Sequence, residues 1–224
     1  MTLNVHSVSR YLTNNDSDIK WRAIDYNANK LVKIFKGVDF KGYIPLKDPK
    51  TNRITRISVN NKKIVYDIVI KNLANKIKSI YNEKIVLVPV PNSSAIEGSG
   101  HYNTLGIAKD ISENSDGTID TVDALRWKNN LGKAHEGGPR SPAILEPNLR
   151  LSNDILEYET KIAVLFDDVC TTGGHLIACA RKLRKAGFLV DDAVCISQTT
   201  DTQHAKMIEL FSFKLEDASS TNCN

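Results

Sequence analysis

Apolar positions change their period several times along this chain, and each change marks an element. Residues 84–90, KIVLVPV, form a nearly unbroken apolar run ended by prolines, as a strand buried on both faces would. Residues 161–166, KIAVLF, and 188–197, FLVDDAVCIS, carry the same signal. Between them, residues 175–187 place Leu176, Ile177, Ala180 and Leu183 on one side of a helix that Gly187 ends. Strand, helix and strand in that order make a βαβ unit, so parallel pairing follows. A helix over about 101–113 and a strand over 119–125 extend the series. The pattern predicts an α/β fold: a single open parallel sheet flanked by helices.

Patterning is weaker elsewhere. Residues 1–20 are polar, with 12–18 reading as a turn. Residues 21–36 space Ile24, Ala28, Leu31 and Val32 as a helix does, and 42–60 suggest two short strands around KDPKTNR. Residues 62–81 carry Ile64, Ile68, Ile70, Leu73, Ile77 and Ile80, which predicts a further helix. A short helix over 202–209 and a frayed end at 217–224 complete the reading. The chain divides into an amino-terminal appendage, 1–60, and a core, 61–224.

Composition adds bounds. Of 224 residues, 41% are hydrophobic and 25% charged, ordinary values for a domain with a real core. The four cysteines form no CxxC pair, and three lie in or beside apolar segments, so buried free thiols in a reducing, cytoplasmic setting are expected. No apolar stretch has signal-peptide or membrane-spanning length, and no membrane partner is expected. The net charge of +4 hides an asymmetry: residues 1–80 hold 16 Lys/Arg against 6 Asp/Glu, and residues 81–224 hold 14 against 20. A positive field attracts anions, phosphorylated small molecules and nucleic acid among them, and a solvated lysine-rich surface is the favoured alternative. Nucleic acid is the less favoured partner, because no nucleic-acid motif accompanies the charge.

The chemistry concentrates in 167-DDVCTTGG-174, at the carboxyl end of one predicted strand and the start of a helix, where open α/β sheets bind ligands. Free N–H groups and the helix dipole there favour an anion, and Gly173 and Gly174 let the chain curl around a phosphate. Thr171 and Thr172 add hydroxyl donors. Asp167 and Asp168 would repel a phosphate but suit sugar hydroxyls, or a divalent cation bridging to the ligand. A sugar phosphate satisfies both halves. A strand end followed by a plain turn is the alternative.

The segment VLFDDVCTTGG, 164–174, resembles the motif by which type I phosphoribosyltransferases bind PRPP (5-phosphoribosyl-1-pyrophosphate), and the element order from 84 to 198 agrees with it. The resemblance implies that Asp167 and Asp168 contact the ribose 2′- and 3′-hydroxyls. It implies that Val169, Cys170, Thr171, Thr172, Gly173 and Gly174 wrap the 5′-phosphate. It also implies Mg²⁺, held mainly by PRPP and water and touched by Asp167 and Asp168 indirectly. His175 stands where the family often has Thr or Ser. The loop after residue 90 resembles the pyrophosphate loop, with Ser93 and Ser94 as donors. Residues 127–147 resemble the flexible loop that closes over PRPP, with Lys133, His135 and Arg140 as its cations. Residues 1–60 take the place of the variable hood, where Trp21, Tyr26 and Tyr43 could stack on an acceptor ring.

The function so implied is transfer of ribose 5-phosphate from PRPP to a nitrogenous acceptor, such as a nucleobase, with release of pyrophosphate. Asp167, Asp168, Lys133, His135 and Arg140 would carry it, and a homodimer is compatible with it. Two alternatives use the same fold: a PRPP- or nucleotide-sensing regulatory protein without catalysis, and an effector acting on nucleotides.

Overall fold

The computed structural model describes residues 2–13, 19–48, 50–132, 138–158 and 160–217. Along the chain the elements are β1 (Thr2–Ser7), β2 (Arg10–Leu12), α1 (Ala23–Phe35), β3 (Ile44–Lys47), β4 (Ile54–Ile57), α2 (Lys63–Ile80), β5 (Ile85–Pro89) and α3 (Asn103–Glu113). They continue as β6 (Ile119–Thr121), β7 (Leu125–Trp127), α4 (Pro142–Leu145), β8 (Leu149–Leu151), β9 (Ala163–Cys170), α5 (Gly174–Lys185), β10 (Asp192–Thr200) and β11 (Phe211–Glu216).

The main sheet has the order β11-β1-β10-β9-β5-β6, with β2 also pairing β10. All pairs are parallel except β11 with β1. The chain is thus an open α/β sheet flanked by helices, as its sequence leads one to expect, with one antiparallel edge. Ala163, Val164, Leu165 and Phe166 of β9 are all 0% exposed, because both faces of this strand are covered. The pleat sends Ala163 and Leu165 to one side, with Leu176, Cys179 and Leu183 of α5. Val164 and Phe166 go to the other, with Leu31 of α1, Leu73 of α2 and Ile107 of α3. Among the described residues no helix is long and apolar enough to cross a membrane.

Besides the strand read at 119–125, which is two strands, β6 and β7, in different sheets, and the loop read at 127–147, which carries α4 with Leu145 buried, three features differ from the sequence reading. The first is at the amino terminus: β1 and β2, read as part of an appendage over 1–60, are strands of the main sheet. Leu3 and Val5 alternate into the α5-side core, a pattern too short and too diluted by polar residues to stand out in sequence. The second is at 202–209, where no helix forms. Met207 and Ile208 pack on the core from an irregular segment, and the Glu209 N–H donates to Val8 O at 2.9 Å. The third is β11, which lies beyond it in residues that alternate half-buried and exposed, as an edge strand does. The frayed end called at 217–224 lies, from residue 218 on, outside the described residues.

A side-chain network ties this edge together. His6 Nε2 lies 2.9 Å from Asp192 Oδ1, His6 Nδ1 lies 2.7 Å from Ser212 Oγ, and the Tyr81 hydroxyl donates to Asp192 Oδ2 at 2.6 Å. Burial pushes the Asp192 carboxyl up, but the bonds from His6 and Tyr81 outweigh it and hold its pKa below the usual value. A depressed carboxylate stabilises the fold above its unfolded pKa, and that stability is lost as pH falls through the folded value. Asp192→Asn should therefore cost about 1–3 kcal/mol at neutral pH. The gap to the unaltered protein should narrow as the pH drops below about 4. Urea unfolding across that range checks it, and a gap independent of pH would refute it.

Candidate functional site

β5 and β9 are neighbours with Pro89 opposite Phe166, so the loops that follow them emerge side by side. The Val90 N–H donates to Phe166 O at 2.7 Å and fixes that adjacency. Between the loops opens a cleft of about 570 Å³, lined by Asn92, Ser93, Asp167, Asp168, Val169, Thr171, His175 and Arg140, with Tyr11, Lys36 and Trp127. Thus Ser93, the acid pair, Val169, Thr171, His175 and Arg140, singled out from sequence, share one cavity.

Other candidates are placed differently. Ser94 does not line the cleft: its N–H and hydroxyl both donate to Asn92 Oδ1, at 3.1 and 2.7 Å. Cys170 is 1% exposed, its thiol pushed up to about 12 by burial and then by Asp167, so only its backbone can face a ligand. Thr172 and Gly174 face a second recess of about 610 Å³, shared with Arg140, Ile177, Arg181 and Leu215. Lys133 and His135 lie outside the described residues. Trp21 and Tyr26 pair with each other, ring centroids 5.1 Å apart, and neither they nor Tyr43 line the cleft.

Asp167 and Asp168 are half-buried at the end of β9. Burial, and then the charge of Asp168, push the Asp167 carboxyl well above the usual value, although its Oδ1 accepts the Asp168 N–H at 2.8 Å. Asp167 therefore holds a proton more readily than a free carboxyl would, and gives it up when cationic charge or hydroxyl donors arrive. Beyond it, Gly173 adopts φ +77° and begins α5 with no side-chain cap. No side chain therefore competes with a ligand for the first-turn N–H groups, although the backbone oxygen of Arg140 lies against Gly174. His175 sits edge-on to Trp127, centroids 5.6 Å apart. Burial and then Arg140 lower its pKa, so at neutral pH it is an uncharged imidazole with one N–H to donate.

Three contributors were not marked in sequence. Trp127, 2% exposed, ends β7, and its indole N–H donates to Pro91 O at 3.1 Å and Asn92 O at 3.0 Å, holding the loop that carries Ser93. A tryptophan two residues beyond a predicted strand was the available signal. Tyr11 arrives from β2, its hydroxyl kept protonated by burial and by Asp168. Lys36 arrives from the end of α1 and offsets part of the Asp167 shift.

A divalent cation can be tested against these side chains. Among the described residues no group of three or more His, Cys, Asp or Glu could hold a metal ion, and the cleft offers two carboxylates. Mg²⁺ takes about six oxygens. Asp167 and Asp168 thus fit a cation whose remaining ligands come from a bound phosphate compound and water, and do not form a resident metal centre.

No protein-family description matches the sequence, and neither does any curated protein. Among solved structures, the chain is similar to adenine phosphoribosyltransferase from Thermoanaerobacter pseudethanolicus, at 14% identity over 76% of this chain and 99% of that one, TM-score 0.40. It is similar to purine phosphoribosyltransferase from Pyrococcus horikoshii, at 15% identity over 62% of this chain and 77% of that one, TM-score 0.37. It is also similar to orotate phosphoribosyltransferase from Aeropyrum pernix, at 15% identity over 78% and 83%, TM-score 0.36.

Proposed function

We propose that this chain binds PRPP in the β5/β9 cleft and transfers its ribose 5-phosphate to a nitrogenous acceptor, releasing pyrophosphate. The observation that carries the reading is the acid pair beside an uncapped helix start, both opening on one cavity. Two hydroxyl-seeking carboxylates and an anion-seeking turn match the two ends of a ribose 5-phosphate.

In this reading Asp167 and Asp168 accept hydrogen bonds from the ribose diol, and Thr171 and His175, which line the same cleft at the helix start, take the 5′-phosphate. Ser93 and Arg140 face the pyrophosphate side, and Tyr11 and Lys36 stand where an acceptor would enter. During transfer the bond from C1′ to the pyrophosphate oxygen breaks, and its electron pair leaves with pyrophosphate. A bond from C1′ to the acceptor nitrogen forms, and the nitrogen loses a proton. A bound Mg²⁺ would supply charge neutralisation on the leaving group. The chain's own part is positioning and fixed charge around a sugar that becomes cationic.

Calorimetry with PRPP and Mg²⁺ tests the binding half, and pyrophosphate release across a panel of nucleobases tests the transfer half. Saturable binding with release for at least one nitrogenous acceptor is the expected result. No heat at millimolar PRPP would overturn the site. Binding with no release for any acceptor would overturn transfer and leave a PRPP-sensing protein.

A further inference from the structure

The charge asymmetry between the two ends of the chain becomes a place on the surface. Phe40 leads from α1 into the β3–β4 hairpin, whose Ile44 and Ile57 are 0% exposed against the core. The rest of the hairpin is open. Lys41, Lys47, Lys50, Arg53 and Arg56 are all exposed, and among the described residues no ion pair joins any of them to an acid. The hairpin's own acid, Asp48, is committed to the turn: its carboxylate accepts the N–H groups of Lys50 at 2.7 Å and Thr51 at 3.1 Å. Helix cations nearby are handled differently, since Lys62, Lys63 and Lys78 pair with Asp39, Asp67 and Asp116.

We infer that the β3–β4 hairpin, with the adjoining side of α1, is a binding surface for the phosphate backbone of nucleic acid. A two-stranded ribbon fits a nucleic-acid groove, and unpaired cations on it would replace condensed counterions. The Arg56 guanidinium lies 4.9 Å from the centroid of the Tyr43 ring, which is 45% exposed, and such planes are platforms on which bases stack. An anionic lipid surface fits less well, because the hairpin turns Ile44 and Ile57 inward and leaves Ile54 as its exposed aliphatic side chain. The surface also runs toward the cleft. Lys30 Nζ donates to Tyr43 O at 2.9 Å, and Lys36, which lines the cleft, follows about 9 Å further along the same chain direction. This inference is independent of the transfer reaction.

The test is fluorescence anisotropy of labelled single-stranded RNA, single-stranded DNA and duplex DNA of about 20 residues, titrated with the full chain over a range of salt. Micromolar binding at low salt is expected, weakening steeply as salt rises. Combined Lys47→Gln, Lys50→Gln and Arg53→Gln should weaken it at least about tenfold and reduce the log–log salt slope on single strands by about 2. A second triple variant, Lys71→Gln, Lys109→Gln and Lys214→Gln, removes the same charge from exposed positions elsewhere and should leave binding nearly unchanged. Thermal melting of both variants confirms that they fold. The inference is overturned if the unaltered chain binds none of the three probes. It is equally overturned if the two variants lose affinity alike, or if the chain binds phosphatidylserine vesicles and no oligonucleotide.

Discussion

Replacing both Asp167 and Asp168 with Asn is expected to weaken PRPP binding tenfold to a hundredfold or more while leaving the unliganded protein at least as stable. The reasoning starts at the end of β9, where the two carboxylates share a half-buried site. Each ionised carboxylate accepts through two oxygens, and Asn keeps one acceptor. Hydrogen bonds to charged groups contribute about 1.5–3 kcal/mol each, so losing even one or two reaches the stated range. The stability half follows from the Asp167 shift. A carboxyl whose folded pKa is raised makes folding less favourable as pH rises above the unfolded value, so at neutral pH the fold bears that cost. Asn removes it together with the repulsion from Asp168. Melting without ligand should hold or rise, and PRPP affinity of the unaltered protein should increase with pH as Asp167 gives up its proton. Calorimetry and melting on the same double variant decide the matter: unchanged affinity would reduce the acids to ordinary loop residues.

That pair was legible in sequence, and the reason is physical. A strand buried on both faces must be nearly all apolar, so two adjacent acids at the end of 161-KIAVLFDD-168 mark where it leaves the core. The same logic made β5, α5 and β10 readable. Half-solvated edges carry no such signature. β1 and β11 pair with each other, yet each is a short alternation of apolar and polar residues in a weakly patterned terminus. The helix read at 202–209 does not form, because adjacent apolar residues such as Met207 and Ile208 can pack from an irregular segment as well as from one helical turn. Within the cleft, the local motif gave Asp167, Asp168, Val169, Thr171 and His175, since those residues are close in sequence. Tyr11 and Lys36 come from distant elements that the sheet order alone brings together. Ser94 was indistinguishable from Ser93 by residue type, and Asn92 decides between them by taking both of its donors.

The two glycines of the turn should respond to alanine very differently. Gly173 needs its left-handed φ of +77°, so Gly173→Ala strains the backbone by about 1–3 kcal/mol. The added methyl would also come within 2.4 Å of Leu215 Cδ1, but that is the end of a side chain that can rotate away. Gly174 has an ordinary helical start, and its difficulty is a neighbour: a methyl there would collide with the backbone oxygen of Arg140. A main-chain carbonyl cannot turn aside alone. Either the 139–141 segment is pushed off the turn or the turn itself opens. Both outcomes shift Arg140 in the cleft it lines, because its backbone oxygen rests against Gly174. Gly174→Ala is therefore expected to cost more than the about 1–3 kcal/mol of ordinary overpacking, or else to keep its stability by releasing the segment. On either route PRPP affinity should fall at least about tenfold, the scale of one lost charged contact. Gly173→Ala should lose stability moderately and affinity less. Melting and calorimetry on the two variants give the ordering directly. If Gly174→Ala proves the milder change in both, the close approach of Arg140 to the turn does not organise the site, and the segment is held by other contacts.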